Sequence, residues 1–351
     1  MRACSFTKHR LKFYNPAGTS RGILYQKDSY FIRWIKDDRT YYGECGLLSG
    51  LSIDDLPEYE EVLDAVCKDI SEGKIHALNL PKFPSIQCAI DMLQLAIKTP
   101  SNDQYFQNDF YHSSAAIPIN GLIWMGDTDF MKTQIDTKIG KGFRCIKMKV
   151  GAIDWENERA LLNHIRNKGG SELIIRVDAN GAWDDDDDTK RKLDFLGKLN
   201  VHSIEQVTRV GNHEAHMNLH KNSPVAFALD EELFQHVDTL SRAKLLDTLK
   251  VEYIVLKPSL VGGFKACDEW ISLCDERNMD YWITSALESN ICLNAISQYT
   301  FPHKKDHFQG LGTGSLYENN IPSPLKIVGD EMTYEKGGKW DYSILDFGDE
   351  L

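Results

Sequence analysis

Eight short, β-rich apolar runs recur along the chain from residue 117, and each is followed by a polar or glycine-bearing turn and a helix-like segment. The runs lie at 117–120, 144–149, 173–178, 202–206, 225–230, 252–257, 280–285 and 307–311. Their starts are roughly 22 to 30 residues apart, which is the length of one strand, one crossover helix and two loops. This repeat predicts an α/β fold with a (β/α)8-type barrel, of the modified TIM or (β/α)7β-like kind.

The first part of the chain has a different pattern. Alternating apolar and polar residues at 29–35 and 40–44 predict antiparallel strands, and helical periodicity follows at 54–72 and 84–98. We therefore expect an α+β capping domain over residues 1–110 and a barrel domain over residues 111–320 that carries the catalytic residues. Residues 321–351 contain no ninth repeat, and we expect them to return to the cap.

The composition excludes several classes of partner. The chain carries 52 acidic and 40 basic residues, a formal net charge of -12, so most of its surface would repel nucleic acid. No stretch approaches the roughly 18 apolar residues of a membrane span. None of the eight cysteines forms a CxxC pair, which favours reduced core residues. We expect a cytoplasmic monomer or homo-oligomer without nucleic-acid or membrane partners.

Charged residues end five consecutive predicted strands, at the face where a barrel of this type carries its active site. Lys147 and Lys149 end the second strand, and the period of two places both on one face. The next four strands end in Asp178, Glu205, Asp230 and Lys257. A single charged side chain at a strand end is commonly solvated. Charged residues at the ends of five consecutive strands instead predict that their side chains converge on one cavity.

The three strand-end carboxylates predict a metal site. Asp178, Glu205 and Asp230 would repel one another in a low-dielectric pocket, so we expect a cation between them. Ligation by oxygen alone favours Mg²⁺, with Mn²⁺ as a substitute. A divalent ion on a substrate carboxylate, beside a lysine base, suits removal of the proton on the adjacent carbon. The sequence therefore predicts proton abstraction from a small-molecule carboxylate substrate.

Five strings carry a resemblance to a known family: CIKMKVG (145–151), IIRVDANGAW (174–183), SIEQV (203–207), ALDEEL (228–233) and VLKPSLVGG (255–263). They are similar to the muconate lactonizing subgroup of the enolase superfamily, and within it the chain most resembles the o-succinylbenzoate synthases. The resemblance covers essentially the whole chain. It implies a hydro-lyase that performs Mg²⁺-dependent syn dehydration of 2-succinyl-6-hydroxy-2,4-cyclohexadiene-1-carboxylate to 2-succinylbenzoate in menaquinone biosynthesis.

The resemblance also implies roles for single residues. The three strand-end carboxylates would be the metal ligands, supported by Asn180 and Glu231. Lys149 would take the proton and then protonate the departing hydroxyl, because a syn elimination needs only one acid/base residue. Lys147 would contact the substrate carboxylate on the metal, and Lys257 would stabilise the intermediate from its other side.

Substrate contacts are expected from the end of the seventh strand, the glycine-rich segment at the eighth strand and a cap segment: Thr284, Ser285, Gly312, Thr313, Thr19, Ser20 and Arg21. The loop 310–315, of glycines and hydroxyls, suits a succinyl carboxylate reached by backbone N–H groups. The cap segment 17–22 lies where the family's specificity loop closes over the site. Arg176 precedes Asp178 by two residues and shares its face, so we expect it to position the substrate or to tune Lys149.

Two alternatives stay open. Lysines on opposite faces also suit a dipeptide epimerase or N-acylamino acid racemase of the same superfamily. Such epimerases usually carry an acidic DxD-like element near the eighth strand, whereas residues 310–315 contain no carboxylate. From another class, a non-catalytic metal-binding scaffold of this fold would be expected to lose a lysine or a ligand, and this chain has all of them.

Overall fold

The computed structural model describes residues 3–19 and 22–348. The N-terminal part contains a three-stranded antiparallel sheet in the order β1-β2-β3, formed by β1 (Cys4–Thr19), β2 (Gly22–Lys36) and β3 (Arg39–Cys45). In the β1–β2 hairpin, the last described pair is Thr19 with Gly22.

Helices α1 (Tyr59–Ser71) and α2 (Pro84–Ala96) pack against this sheet, and a 3₁₀ turn at Ile75–Ala77 lies between them in the chain. The short α3 (Asp109–Ser113) follows. Helix α1 buries Leu63, Val66, Cys67 and Ile70, which are spaced i, i+3, i+4 and i+7. This spacing gives one apolar stripe per helix, and the stripe packs on the sheet.

Seven parallel strands form a curved sheet whose spatial order follows the chain. They are β5 (Gly121–Ile123), β6 (Cys145–Lys149), β7 (Ile174–Asp178), β8 (Ser203–Glu205), β9 (Ala226–Leu229), β10 (Tyr253–Leu256) and β11 (Asp280–Ile283). Two isolated parallel bridges connect the ends of the sheet, Thr284 with Gly310 and Ile119 with Gln309. The predicted barrel with an N-terminal α+β cap is therefore confirmed, although the eighth strand is reduced to Gln309 and Gly310.

The predicted first barrel strand, 117–120, is displaced, because the strand in the barrel sheet is Gly121–Ile123, although Ile119 does bridge in parallel to Gln309. The strand that pairs with β6 is β5, and the preceding β4 (Ile117–Pro118) pairs antiparallel with a C-terminal strand. Pro118 has no N–H to donate to a sheet ladder, so it is suited to a sheet edge. Its carbonyl accepts a hydrogen bond from Gln309 N at 2.8 Å.

Helices follow the barrel strands along the chain: α4 (Thr128–Gly140), α5 (Trp155–Gly169), α6 (Asp187–Lys198), α7 (His213–His220), α8 (Thr239–Leu249), α9 (Pro258–Val261), α10 (Gly263–Asp275) and α11 (Asn290–His303), with 3₁₀ turns at Glu231–Gln235 and Gly312–Leu316. Aspartate caps the N-termini of four of them. Asp186, for example, accepts a hydrogen bond from Thr189 N at the start of α6. Such caps stabilise the orphan N–H groups of the first turn.

The C-terminal segment contacts both parts of the molecule. Strands β12 (Leu325–Val328) and β13 (Glu331–Tyr334) form a sheet with β4 in the order β12-β13-β4. Farther on, the ring of Tyr342 stacks on that of Tyr42 in β3, with 4.1 Å between centroids. The domain boundaries given above stay a prediction. Within residues 3–19 and 22–348, no helix has the length and apolarity to cross a membrane, and all eight cysteines are buried and free.

Candidate active site

A cavity of about 300 Å³ lies at the carboxyl ends of the barrel strands, beneath the cap. Leu24, Leu48 and Leu51 line it from the cap side, and the lysines that end β6 line it from the barrel. This volume is at the lower end of the range for small-molecule sites. The cavity is therefore of a size for a small ligand.

Three carboxylates lie together at one side of the barrel mouth. Asp178 and Glu205 end the neighbouring strands β7 and β8 and are paired in register, and Asp230 follows β9. Oxygens of the three groups lie within 4.8 Å of one another, and each residue is at most 1% exposed. Glu205 Oε1 and Asp230 Oδ1 are buried without a hydrogen-bond partner. Unpaired buried oxygens are costly without a cation, so this group fits a divalent metal ion.

The three predicted lysines all line the cavity and all reach the carboxylate cluster. Lys147 Nζ lies 3.0 Å from Asp178 Oδ2 and also contacts Glu205. Lys149 Nζ lies 3.2 Å from Asp178 Oδ2, and Lys257 pairs with Asp230. The period of two along β6 thus directs both of its lysines into the barrel.

Asn180 connects Lys149 to Glu231, the residue after Asp230. Lys149 Nζ donates to Asn180 Oδ1 at 2.5 Å, and Asn180 Nδ2 donates to Glu231 Oε1 at 2.9 Å. Asn180 has a φ of 44°, a left-handed conformation that asparagine adopts more readily than most residues. The side chain therefore holds the ammonium group of Lys149 in place while its own backbone N–H donates to Asp178.

The charges in the cluster shift one another's pKa. Burial, assisted by the negative charges of Asp178 and Asp230, raises the pKa of Glu205 to about 7 against the opposing effect of Lys147. Burial also disfavours the ionised form of Asp178, but the three lysines outweigh it and hold its pKa below the usual range. Burial lowers the pKa of Lys147 and Lys257, and their carboxylate partners more than reverse this effect, so both pKa values are raised. Both ammonium groups are thus stabilised in the charged form.

The structure brings four of the predicted substrate contacts to the cavity wall: Thr284, Ser285, Gly312 and Thr313. The hydroxyls of Ser285 and Thr313 share a hydrogen bond of 2.5 Å, and Thr284 Oγ1 donates to Gly310 O at 2.8 Å. Of the predicted cap contacts, the side chain of Thr19, as well as Ser20 and Arg21, lies outside the described residues.

Arg176 does not line the cavity, in contrast to the prediction. It is 1% exposed, its Nη1 donates to Phe308 O at 2.8 Å, and its guanidinium lies 4.0 Å from the centroid of the Trp282 ring. It does share the inward face with Asp178, as the period of two requires, but it lies one layer deeper in the barrel. Its observed contacts are those of a barrel-filling residue.

Sequence reasoning missed the apolar wall of the cavity, which includes Leu24, Leu48, Leu51, Trp124, Leu260, Leu287 and Leu316. Trp124 directly follows β5, and Gln134 fixes its backbone, accepting from Trp124 N at 2.9 Å and donating to Trp124 O at 3.1 Å. Because the first strand was expected at 117–120, Trp124 was not recognised as a residue at a strand end. Strand β5 has only three residues, which is too short for a clear alternating pattern.

Comparisons with known proteins identify the family of this chain. A family described as Enolase C-terminal domain-like matches residues 131–337. The chain belongs to the enolase superfamily. The o-succinylbenzoate synthase of Desulfotalea psychrophila is 38% identical to it over 360 residues, which cover 93% of this chain and 97% of that relative. The o-succinylbenzoate synthase of Bacillus subtilis is 27% identical over 192 residues, covering 53% of this chain and 49% of the relative.

Solved structures share this fold over nearly the whole chain. The crystal structure of MenC from Desulfotalea psychrophila has a TM-score of 0.83 at 34% identity and covers 94% of this chain and 99% of its own. The L-Ala-D/L-Glu epimerase of Bacillus subtilis has a TM-score of 0.79 at 16% identity, with 96% of each chain covered, which shows the common fold. Enolase superfamily members bind a divalent metal ion, and the buried Asp178, Glu205 and Asp230 could hold one here.

Proposed function

We propose that this enzyme is a hydro-lyase that converts 2-succinyl-6-hydroxy-2,4-cyclohexadiene-1-carboxylate to 2-succinylbenzoate by Mg²⁺-dependent syn elimination, in menaquinone biosynthesis. One observation carries the proposal: Lys149 and Lys257 enter a single cavity beside a buried carboxylate triad. The chain also matches a relative named o-succinylbenzoate synthase along nearly all of that relative's length.

Lys149 is the acid/base residue of the proposed reaction. Its Nζ is held by Asn180 and Asp178 and reaches the cavity from the end of β6. The proton on the carbon next to the ring carboxylate passes to this nitrogen. The same nitrogen returns a proton to the departing hydroxyl on that face of the ring, because both groups leave from one side in a syn elimination.

Lys147 and Lys257 act as fixed positive charges. Their carboxylate partners raise the pKa of both, so each keeps its proton while the substrate reacts. Lys147, in contact with Asp178 and Glu205, is positioned to bind the ring carboxylate. Lys257 enters from the end of β10 and stabilises the negative charge that spreads over the ring.

Asp178, Glu205 and Asp230 would hold Mg²⁺, for which Mn²⁺ is the expected substitute. The bound ion supplies Lewis-acid stabilisation of the charge that develops on the ring carboxylate. The residues fit this ion because all three offer oxygen and two of those oxygens have no hydrogen-bond partner. Asn180 and Glu231 support the triad through their shared hydrogen bond.

The remaining walls would bind the rest of the substrate. Ser285, Gly312 and Thr313 offer hydroxyl and backbone donors for the succinyl carboxylate, and Trp124 and Leu24 cover the ring and exclude water. Contacts from Thr19, Ser20 and Arg21 stay a prediction.

The decisive experiment follows ultraviolet absorbance as the cyclohexadiene becomes aromatic, with purified enzyme and Mg²⁺. A dipeptide epimerase assay runs in parallel on the same preparation. Fast, Mg²⁺-dependent aromatisation without epimerisation supports the proposal. Epimerisation with no aromatisation would instead assign the lysine pair to a two-base exchange, and inactivity in both assays would favour a non-catalytic scaffold.

A further inference from the structure

The loop after β11 forms part of the cavity wall in a conformation that needs support. Ser285, Ala286 and Leu287 line the cavity, and Leu287 has a φ of 64°. A bulky residue in the left-handed region costs free energy and persists only when its surroundings fix it. One support is the hydroxyl of Tyr317, which donates to Leu287 O at 2.6 Å.

The second support is Glu288, a carboxylate that is 0% exposed and that the proposed reaction does not use. Ala286 N donates to Glu288 Oε2 at 2.5 Å, so the side chain folds back on its own loop. The Ser259 hydroxyl donates to the other oxygen, Glu288 Oε1. Ser259 follows Lys257 by two residues, and Leu260 after it lines the cavity. Glu288 therefore joins the loop after β11 to the segment that carries Lys257.

The cap contacts the same bridge at a residue that must be small. A Cβ added at Gly46, just after β3, would lie 2.7 Å from Glu288 Cγ and 3.0 Å from Ser259 Cβ. Both distances are shorter than normal contacts between carbon atoms. Gly46 does not have a positive φ, so its requirement for glycine is one of space. The cap backbone thus packs directly against the Glu288–Ser259 pair.

We propose that Glu288 is a positioning residue that sets the wall loop 285–287 relative to Lys257, and that Gly46 allows the cap to clamp this bridge. The role in turnover rests on the proposed dehydration, whereas the bridge itself does not. Because Glu288 binds through Ala286 and Ser259, its loss should displace the wall and leave the metal ligands in place. A displacement of about 1 Å at a site wall can cost on the order of 100-fold in rate.

The variants Glu288→Ala, Glu288→Gln and Gly46→Ala separate this role from simple loss of stability. Glutamine can keep both contacts, since its carbonyl accepts from Ala286 N and its amide donates to the Ser259 hydroxyl, which can accept as well as donate. Alanine removes both contacts. Asp91→Ala is the matched control, because Asp91 is another buried carboxylate between cap and barrel that accepts from Phe264 N at 2.9 Å and does not line the cavity.

Two measurements decide the question. In the dehydration assay, Glu288→Ala and Gly46→Ala should lower kcat/KM at least about tenfold with unchanged Mn²⁺ affinity, and Glu288→Gln should stay within about threefold of wild type. Asp91→Ala should lower Tm with kcat/KM within about twofold of wild type. Equal losses in Glu288→Ala and the folded Asp91 control would overturn the positioning role.

Hydrogen exchange of the Ala286 amide is the second measurement and needs no substrate. This amide should exchange faster in Glu288→Ala and Gly46→Ala, and at the wild-type rate in Glu288→Gln and Asp91→Ala. Unchanged exchange in Glu288→Ala would show that no bridge exists. If the wild type were inactive but the amide exchange followed the expected pattern, the proposed reaction would be rejected and the Glu288 bridge would still be supported.

Discussion

Lys149 Nζ and Asn180 Oδ1 lie 2.5 Å apart, and the same amide donates to Glu231, so a neutral side chain orients the proposed base. Asn180 lies on the turn after β7, two residues beyond Asp178. The lysine on one strand is thereby tied to the end of the next strand and, through Glu231, to the segment after β9. The direction of the base is set by three barrel segments together.

Asn180→Gly should lower kcat by about tenfold or more, because glycine accepts the φ of 44° but cannot hold the lysine. Measured KM should change much less than kcat. Circular dichroism and Tm provide the check that the turn is intact. A variant with wild-type kcat would show that Asp178 alone orients Lys149.

Lys149→Ala and Lys257→Ala should both lose dehydration, by about 100-fold or more, for different reasons. Solvent deuterium exchange into a non-eliminating substrate analogue separates them. Exchange through Lys149 should persist in part in Lys257→Ala and be absent in Lys149→Ala. The reverse pattern would make Lys257 the base, and normal turnover in both variants would refute the catalytic role of the lysines.

Chelation by EDTA should abolish activity, and Mg²⁺ or Mn²⁺ should restore it. Glu205→Gln should weaken Mn²⁺ binding at least about tenfold, because an amide oxygen replaces a charged ligand. Titration followed by electron paramagnetic resonance measures the free Mn²⁺. Glu335→Gln, at an exposed carboxylate paired with Lys326, is the control and should bind Mn²⁺ like wild type.

Arg176→Met should lower the free energy of unfolding by about 2 to 4 kcal/mol, because it loses a charged hydrogen bond to Phe308 O and the contact with the Trp282 ring. Denaturant titration measures this loss. The folded variant should keep kcat/KM within about threefold of wild type. A large rise in KM without loss of stability would show instead that Arg176 contacts the substrate.

Asp54→Asn should change how stability depends on pH. Burial raises the pKa of Asp54 to about 6, against its hydrogen bonds from Ser85, so the folded state holds this proton at higher pH than the unfolded state does. The stabilisation by the neutral carboxyl is complete below about pH 4 and is lost as pH rises through 6. Relative to Asp54→Asn, wild type should lose about 3 kcal/mol over this interval. Parallel curves from pH 4 to 7 would contradict the raised pKa.

Much of the candidate site could be predicted from local patterns in the sequence. A period of two fixes which face of a strand a residue occupies, so Lys147 and Lys149 share a face and both reach the cavity. The regular repeat then brings Asp178, Glu205 and Asp230 to adjacent strand ends, because parallel strands joined by crossovers all end at the same side of the barrel. These features depend on residue type and spacing alone.

Only the tertiary structure shows how deep a side chain lies in the barrel and which segments form the cavity walls. The period of two assigns Arg176 to the face of Asp178 but cannot show that two residues, at roughly 3.3 Å each, place it below the cavity floor. The first strand is short enough that only its pairing with β6 locates it, which is why Trp124 was missed. The contact between Gly46 and Glu288 joins residues far apart in the sequence. The sequence alone determined which chemical groups end each strand. The walls around those groups were decided by packing between segments that are distant in the chain, and such packing leaves no periodic pattern in the local sequence.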